Sequence, residues 1–138
     1  RVILNLPPSH PELVSGSKKI TQIFMEIYRL MYLNSMRQSH VYIMSNYDRT
    51  VFYIGVTANI MNRVLAHKKE EGSVFSTRYK TKYLVYCEAF NRITDAINRE
   101  KQLKRWHRDW KINLIKQENP EMKDLAEAWY SEIDFKVL

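Results

Sequence analysis

The chain has 138 residues, of which 45% are hydrophobic and 27% charged, a balance typical of one globular domain. Its net charge of +7 favours a polyanionic partner such as nucleic acid, with an incidentally basic protein as the alternative. No apolar run reaches the roughly 18 residues of a membrane span, no secretory signal is recognisable, and one cysteine excludes an internal disulfide. We therefore expect a cytoplasmic protein with no membrane and no disulfide partner.

Residues 1–35 are predicted to form a peripheral N-terminal extension. The first sixteen residues contain three of the four prolines, which argues against regular structure there. Apolar residues then recur at helical spacing after Ser17, a candidate N-cap, so we expect an amphipathic helix that packs on the domain. This apolar stripe comprises Ile20, Ile23, Phe24, Ile27, Leu30 and Met31. The functional domain is predicted over 36–131, with 132–138 as a C-terminal tail.

Two short runs rich in β-branched and aromatic residues follow, at 40–46 and 51–57. Turn-forming residues from Asn46 to Thr50 separate them, which predicts a β-hairpin. Each strand carries one tyrosine in its apolar run, Tyr42 and Tyr53. The hairpin would hold the two phenols near one another, either as cross-strand core aromatics or as a functional pair.

A helix is predicted next over about 58–70, with Thr57 as its cap and Gly72 beyond its end. Arg63 and His67 are four residues apart, so they project from the same side of this helix. Their face is offset from the apolar stripe and can point toward the hairpin. A solvated face is the alternative.

The remainder of the chain is predicted to contain a third strand and three further helices, at 82–90, 95–107, 110–118 and about 122–131. Thr94 and Asp109 are the candidate N-caps of the first two of these helices. Glu100 falls within the apolar stripe of the helix over 95–107. A half-buried carboxylate costs free energy unless it is paired or bound to a metal, so a salt bridge and a metal site are the two interpretations.

Val41-Tyr42-Ile43 and Tyr53-Ile54-Gly55, followed by Arg63, His67 and Glu100, resemble the GIY-YIG nuclease family. The resemblance covers residues 40 to about 129 and is closest to the small stand-alone bacterial branch. It implies an α/β fold (an α+β sandwich) with a three-stranded antiparallel sheet flanked by helices. His40 stands where the family name has its first glycine, a change that affects only backbone shape.

The resemblance also implies a metal-dependent DNA endonuclease and a role for each matching residue. Glu100 would hold one divalent cation, Mg²⁺ or Mn²⁺, and Arg63 would stabilise charge on the phosphate. Tyr42 would lie near the nucleophilic water, Tyr53 would orient phosphate or water, and His67 would accompany them. Either Tyr42 or His67 would accept the proton. All five groups are expected to converge on a common pocket.

Helical spacing places several cations along one side of the domain, which is consistent with contact to a phosphate backbone or with a solvated face. The candidate nucleic-acid-binding residues are Lys68, Lys101, Lys104 and Arg108. The family implies structure-selective or weakly selective cleavage, in DNA repair or recombination. The alternatives are a nucleic-acid-binding module with little or no turnover, and an interaction domain whose charge is incidental.

Overall fold

A computed structural model describes residues 18–136 of the chain, apart from the side chains of residues 35 and 36. The predicted proline-rich stretch and the Ser17 cap therefore lie outside the described residues. In chain order the elements are α1 (Lys18–Met36), β1 (Ser39–Ser45), β2 (Phe52–Thr57), α2 (Ile60–Lys68), α3 (Val74–Tyr79), β3 (Tyr83–Phe90), α4 (Ile93–Arg105), α5 (Arg108–Glu118) and a 3-10 helix (Glu132–Phe135).

The three strands form one antiparallel sheet in the order β2-β1-β3. Strand β1 is central and every one of its residues is buried, whereas β2 lies at an edge. In this register Tyr42 pairs with Gly55 on one side and with Cys87, a buried free cysteine, on the other. The predicted hairpin, the third strand and the fold class are confirmed.

Alternating residues of β1 divide the core into two layers, as the two-residue period of a strand requires. Tyr42 and Met44 pack in one cluster with residues of α2 and with Ala126 and Trp129. Val41 and Ile43 pack in the other cluster with residues of α4 and α5. We call these two layers the α2 side and the α4 side of the sheet.

The predicted N-caps of helices α2, α4 and α5 are each wrong by two residues. Helix α2 begins after Asn59, whose side chain accepts a hydrogen bond from Asn62 N at 3.1 Å, so Asn59 replaces Thr57 as the cap. Helices α4 and α5 follow Arg92 and His107, and neither of these residues makes a side-chain capping bond. The helix boundaries there depend on packing against the sheet more than on capping chemistry.

The helix predicted over about 122–131 is wrong, because this segment is bonded to strand β3 and forms only isolated turns. Leu125 N donates to Leu84 O at 2.8 Å. The Asp124 carboxylate accepts from Leu84 N at 3.0 Å and from Ala126 N at 3.1 Å. These bonds replace helical ones and bury Ala126 and Trp129 against the α2 side.

Helix α1 forms as predicted, but its apolar stripe is not covered by the domain. The six residues of the stripe are between 48% and 63% exposed, so the predicted packing is wrong. That residues 1–35 form a peripheral extension of the functional domain stays a prediction. Among residues 18–136, no helix has the length and apolar character required to cross a membrane.

Candidate active site

The site on the α2 side is centred on the Tyr42 hydroxyl, which lies over the backbone of Gly55. A Cβ atom at position 55 would stand 2.4 Å from Tyr42 Oη, closer than any real Cβ contact. Strand pairing puts Gly55 directly opposite Tyr42, so the missing side chain provides the space for the phenol. Tyr42 itself has no exposed surface.

Helix α2 brings Arg63 and His67 to this hydroxyl. Arg63 Nε donates to Tyr42 Oη at 3.1 Å, and His67 Nε2 lies 3.0 Å from the same oxygen. Both contacts follow from the four-residue spacing, which aligns the two side chains on one side of the helix. His67 is 2% exposed, so this side is not a solvated face. The predicted orientation toward the hairpin is confirmed.

Tyr53 completes the group from the edge strand. Its ring centroid lies 6.2 Å from that of Tyr42 and 4.9 Å from that of His67. Unlike Tyr42, Tyr53 is only partly buried. Four of the five predicted site residues therefore meet in one cluster, with Tyr53 on its more open side.

Two further residues that the sequence did not indicate extend the cluster inward. His67 Nδ1 lies 2.5 Å from Ser76 Oγ, and Ser76 Oγ lies 2.5 Å from Thr81 Oγ1. Gly72 allows this approach, because a Cβ there would stand 2.9 Å from His67 Nδ1. The available signal was Ser73 three residues before Ser76, since Ser73 accepts from Ser76 N at 3.1 Å and starts helix α3.

Burial sets the ionisation of the two groups that could accept a proton. Burial raises the pKa of Tyr42, and the hydrogen bond from Arg63 only partly opposes that rise. Burial, followed by the charge of Arg63, lowers the pKa of His67 to about 4. At neutral pH the cluster therefore holds a phenol, a neutral imidazole and one cation, Arg63.

Glu100 does not share a hydrogen bond or ion pair with these four residues in the described part of the chain. Helix α4 packs on the side of the sheet opposite to Tyr42, through Ala96 and Leu103. The side chain of Glu100 is 13% exposed and forms an ion pair with Lys104. The salt-bridge interpretation is thus realised. A catalytic role for Glu100 stays a prediction, and it requires contact around the edge of the sheet, where α4 also packs against β2.

The acidic residues fit a weakly held cation better than a closed metal site. Within residues 18–136, no group of three or more His, Cys, Asp and Glu side chains could hold a metal ion. Mg²⁺ does not require such a cage, since it often binds one or two carboxylates and completes its shell with water and substrate phosphate. Glu100 suits that mode, with Lys104 as the competing cation.

Lys68, one of the four predicted nucleic-acid-binding residues, is already bonded within the domain, and its role in binding nucleic acid stays a prediction. Its ammonium group bonds to Asp124 Oδ2 at 2.5 Å and to Lys82 O at 3.1 Å, and its side chain is 13% exposed. It therefore tethers the C-terminal segment to the α2 side. Lys101 and Arg108 are exposed, as is Lys104 despite its ion pair with Glu100.

Comparison with known proteins gives the family. A family model described as the GIY-YIG catalytic domain matches residues 38–113, a range that contains the whole tyrosine, arginine and histidine cluster and Glu100. The chain belongs to the GIY-YIG family. The predicted family is therefore confirmed, and it is a nuclease-type family.

Curated relatives support the small stand-alone branch of the GIY-YIG family. A UPF0213 protein of Pediococcus pentosaceus is 31% identical over 86 residues, covering 62% of this chain and 90% of the relative. A UPF0213 protein of Syntrophus aciditrophicus is 34% identical over 87 residues, covering 62% and 98%. A third, of Natronomonas pharaonis, is 33% identical over 79 residues, covering 57% and 92%. No solved structure matches the chain at a significant level.

Proposed function

We propose that this GIY-YIG protein is a metal-dependent DNA endonuclease that hydrolyses phosphodiester bonds. The observation that carries the proposal is the Tyr42 hydroxyl, buried and held 3.1 Å from Arg63 Nε and 3.0 Å from His67 Nε2. Burying polar groups costs free energy unless each is hydrogen-bonded, and buried polar networks with perturbed pKa values cluster at functional sites.

The phosphate would bind at Arg63, whose guanidinium is only partly buried and carries the charge of the cluster. A positioned guanidinium stabilises the charge that develops on the phosphate oxygens in the transition state. Water would attack phosphorus in line, the bond to the 3′-oxygen would break, and the proton would pass to the Tyr42–His67 pair. Tyr53, on the open side, would orient the phosphate or the water.

Glu100 would hold one Mg²⁺ or Mn²⁺ together with water and the substrate. When bound, such a cation neutralises phosphate charge and stabilises the leaving oxygen. Two changes must accompany binding: Lys104 releases the carboxylate, and the substrate spans the edge strand β2 between Glu100 and the tyrosines. Lys104 would then be free to join Lys101 and Arg108 on the DNA backbone.

We propose weak or structure-based selectivity on DNA and a role in DNA repair or recombination in the cytoplasm. This proposal is supported by the exposed cations of α4 and α5, which suit contact with a phosphate backbone, and such contacts carry no sequence information. Branched, nicked and linear duplexes are therefore the substrates to compare.

The test measures cleavage of these three DNA forms with Mg²⁺ or Mn²⁺, using the wild type, Glu100→Gln and Glu88→Gln. Glu88 is a matched control, because its side chain is also 13% exposed and also ion-paired, in this case with Arg99. We expect metal-dependent cleavage in the wild type and in Glu88→Gln, and its loss in Glu100→Gln. Cleavage by Glu100→Gln at the wild-type rate would contradict the proposed role of this carboxylate.

One observation favours a second candidate, a nucleic-acid-binding module without turnover. Glu100 lies on a helix of the α4 side and is neutralised by Lys104, which would leave the tyrosine cluster without a metal. This candidate predicts equal DNA affinity and no cleavage for the wild type and Glu100→Gln alike. If the wild type neither binds nor cleaves DNA, the result would favour an interaction domain whose positive charge is incidental.

A further inference from the structure

Four buried side chains form a continuous hydrogen-bonded chain that leads away from the reactive hydroxyl. The chain runs from Tyr42 Oη to His67 Nε2 at 3.0 Å, from His67 Nδ1 to Ser76 Oγ at 2.5 Å, and on to Thr81 Oγ1 at 2.5 Å. All four residues are at most 3% exposed. The direction in which the hydrogens point along this chain determines what His67 does.

A neutral imidazole has one donor and one acceptor nitrogen, so hydrogen bonds can run continuously through the three contacts in two directions. In the first, Tyr42 donates to His67, His67 to Ser76 and Ser76 to Thr81. In the second, Thr81 donates to Ser76, Ser76 to His67 and His67 to Tyr42. A third arrangement, in which His67 and Thr81 both donate to Ser76, would leave the Ser76 hydrogen buried without an acceptor among residues 18–136. Hydrogen positions of this kind are assigned from the network that best satisfies every donor.

Thr81 decides between the two directions. It has no exposed surface, and within residues 18–136 its hydroxyl makes one hydrogen bond, to Ser76. In the first direction its hydrogen would be buried without an acceptor, which costs more than leaving an oxygen lone pair unused. In the second direction every donor has an acceptor, since the Tyr42 hydrogen points toward Tyr53, with which the Tyr42 hydroxyl shares a side-chain hydrogen bond.

We propose that Ser76 and Thr81 are positioning residues that hold His67 as the tautomer with hydrogen on Nε2. Nδ1 accepts from Ser76, and Nε2–H donates to Tyr42 Oη. Gly72 is part of this arrangement, since any side chain there would press on Nδ1. The tautomer is a property of the folded protein and does not depend on a substrate.

The catalytic consequence rests on the proposed function. Tyr42 Oη receives two N–H donors, from Arg63 and His67, and donors of this kind favour a phenolate. Tyr42 rests as the phenol, because burial raises its pKa; the fraction that has lost its proton on the open side beside Tyr53 is the phenolate that takes a proton from the attacking water. The water oxygen bonds to phosphorus as the bond to the 3′-oxygen breaks. His67 stays neutral throughout, in agreement with its low pKa of about 4.

Nitrogen NMR of protein labelled with ¹⁵N in its histidines tests the tautomer directly. We expect Nε2 of His67 to carry a proton that resists exchange, and Nδ1 to have the chemical shift of an unprotonated ring nitrogen. A proton on Nδ1 would overturn the proposal. His107, which is exposed, provides the reference signal in the same spectrum.

Substitutions of Ser76 test whether this residue positions His67 or only supports folding. Ser76→Ala removes the donor to Nδ1, so we expect a mixture of tautomers and a fall in kcat of about tenfold with little change in KM. Ser76→Thr should restore both. Thr77→Val, which alters an exposed hydroxyl on the same helix, should change neither. An unchanged His67 spectrum in folded Ser76→Ala would overturn the proposal.

The two proposals fail in different ways. If wild-type protein does not cleave DNA but His67 carries its proton on Nε2, the hydrogen-bond direction stands and the nuclease proposal falls. If the wild type cleaves DNA and His67 carries its proton on Nδ1, the nuclease proposal stands and the positioning role of Ser76 and Thr81 falls.

Discussion

The two sides of the sheet differ in the chemical character of the residues that they bury. On the α2 side a connected set of polar groups is buried around Tyr42, each within hydrogen-bonding distance of the next. On the α4 side the buried residues are mainly apolar, and Glu100 is neutralised by Lys104. An apolar layer stabilises the fold by burial alone, whereas a buried polar layer is retained only where each group is satisfied. We therefore expect proton transfer and phosphate binding on the α2 side, whereas the α4 side provides the scaffold and the proposed metal ligand Glu100.

The largest effect should come from removing the cation of the α2 side. Arg63→Ala should lower the rate of DNA cleavage by roughly 10²–10³, because no other cation in the described part of the chain donates to the Tyr42 oxygen. Arg63→Lys should not restore the rate, since an ammonium cannot reproduce the guanidinium geometry. Single-turnover cleavage measures both, with the exposed Arg78→Ala on α3 as control. A wild-type rate in Arg63→Ala would contradict this assignment.

The ion pair between Lys68 and Asp124 on the α2 side should contribute to stability and not to DNA binding. Asp124→Ala should lower the free energy of unfolding by about 3 kcal/mol, because it leaves Lys68 and two backbone N–H groups without their acceptor. Urea denaturation measures this loss.

The matched pair for DNA binding is Lys68→Met against Lys101→Met. We expect Lys101→Met to reduce DNA affinity and its salt dependence with little change in stability. Lys68→Met should instead lower the free energy of unfolding with little change in DNA affinity. Fluorescence anisotropy over a range of salt concentrations distinguishes them. A loss of DNA affinity in folded Lys68→Met, with none in Lys101→Met, would show that Lys68 contributes to nucleic-acid binding.

Adding one carbon at Gly55 should disturb the α2 side specifically. The new Cβ would overlap Tyr42 Oη, and Tyr42 is fully buried and cannot swing away, so we expect a loss of about 1–3 kcal/mol in unfolding free energy. Cleavage should fall further than the loss of folded protein explains. Ala58→Ser, at an exposed neighbouring position, is the control. Unchanged activity in Gly55→Ala would show that the Tyr42 position is not critical.

Acid should destabilise the protein through two buried histidines. Burial lowers the pKa of both His40 and His67 to about 4, below the ordinary value of 6.5. The unfolded chain therefore binds more protons between these values, so stability falls as pH drops from about 6.5 to 4 and is constant for these groups above that window.

We expect a loss of about 2 kcal/mol for each histidine, and so roughly 3–4 kcal/mol for the two together, between pH 7 and pH 5, measured by urea denaturation. His67→Gln should reduce the slope of stability against pH, and the exposed His107→Gln should not. A slope that is unaffected by His67→Gln would contradict a buried neutral imidazole.

The sequence predicted the parts of the fold that local patterns determine. The hairpin follows from two β-rich runs around a turn, and Arg63 and His67 follow from a four-residue spacing offset from the apolar stripe of α2. The burial of Glu100 was also readable from its place in the α4 stripe, although the side of the sheet was not.

What the sequence did not reveal depends on tertiary contacts. Residues 122–131 have a helical pattern, but the bonds from Asp124 and Leu125 to strand β3 replace the helix. Helix α3 is only six residues long, and no periodic pattern predicts so short an element. Ser76 and Thr81 were missed with it, because their proximity to His67 depends on that turn of helix.

The most direct test is a crystal structure of the protein with an oligonucleotide and Mn²⁺, located by its anomalous scattering. The account predicts a phosphate bonded to Arg63 within reach of Tyr42 Oη, and Mn²⁺ between that phosphate and Glu100 at the edge of β2, with Lys104 displaced. A phosphate seated away from Arg63, or Glu100 still paired with Lys104 and no Mn²⁺ at the tyrosine cluster, would contradict it.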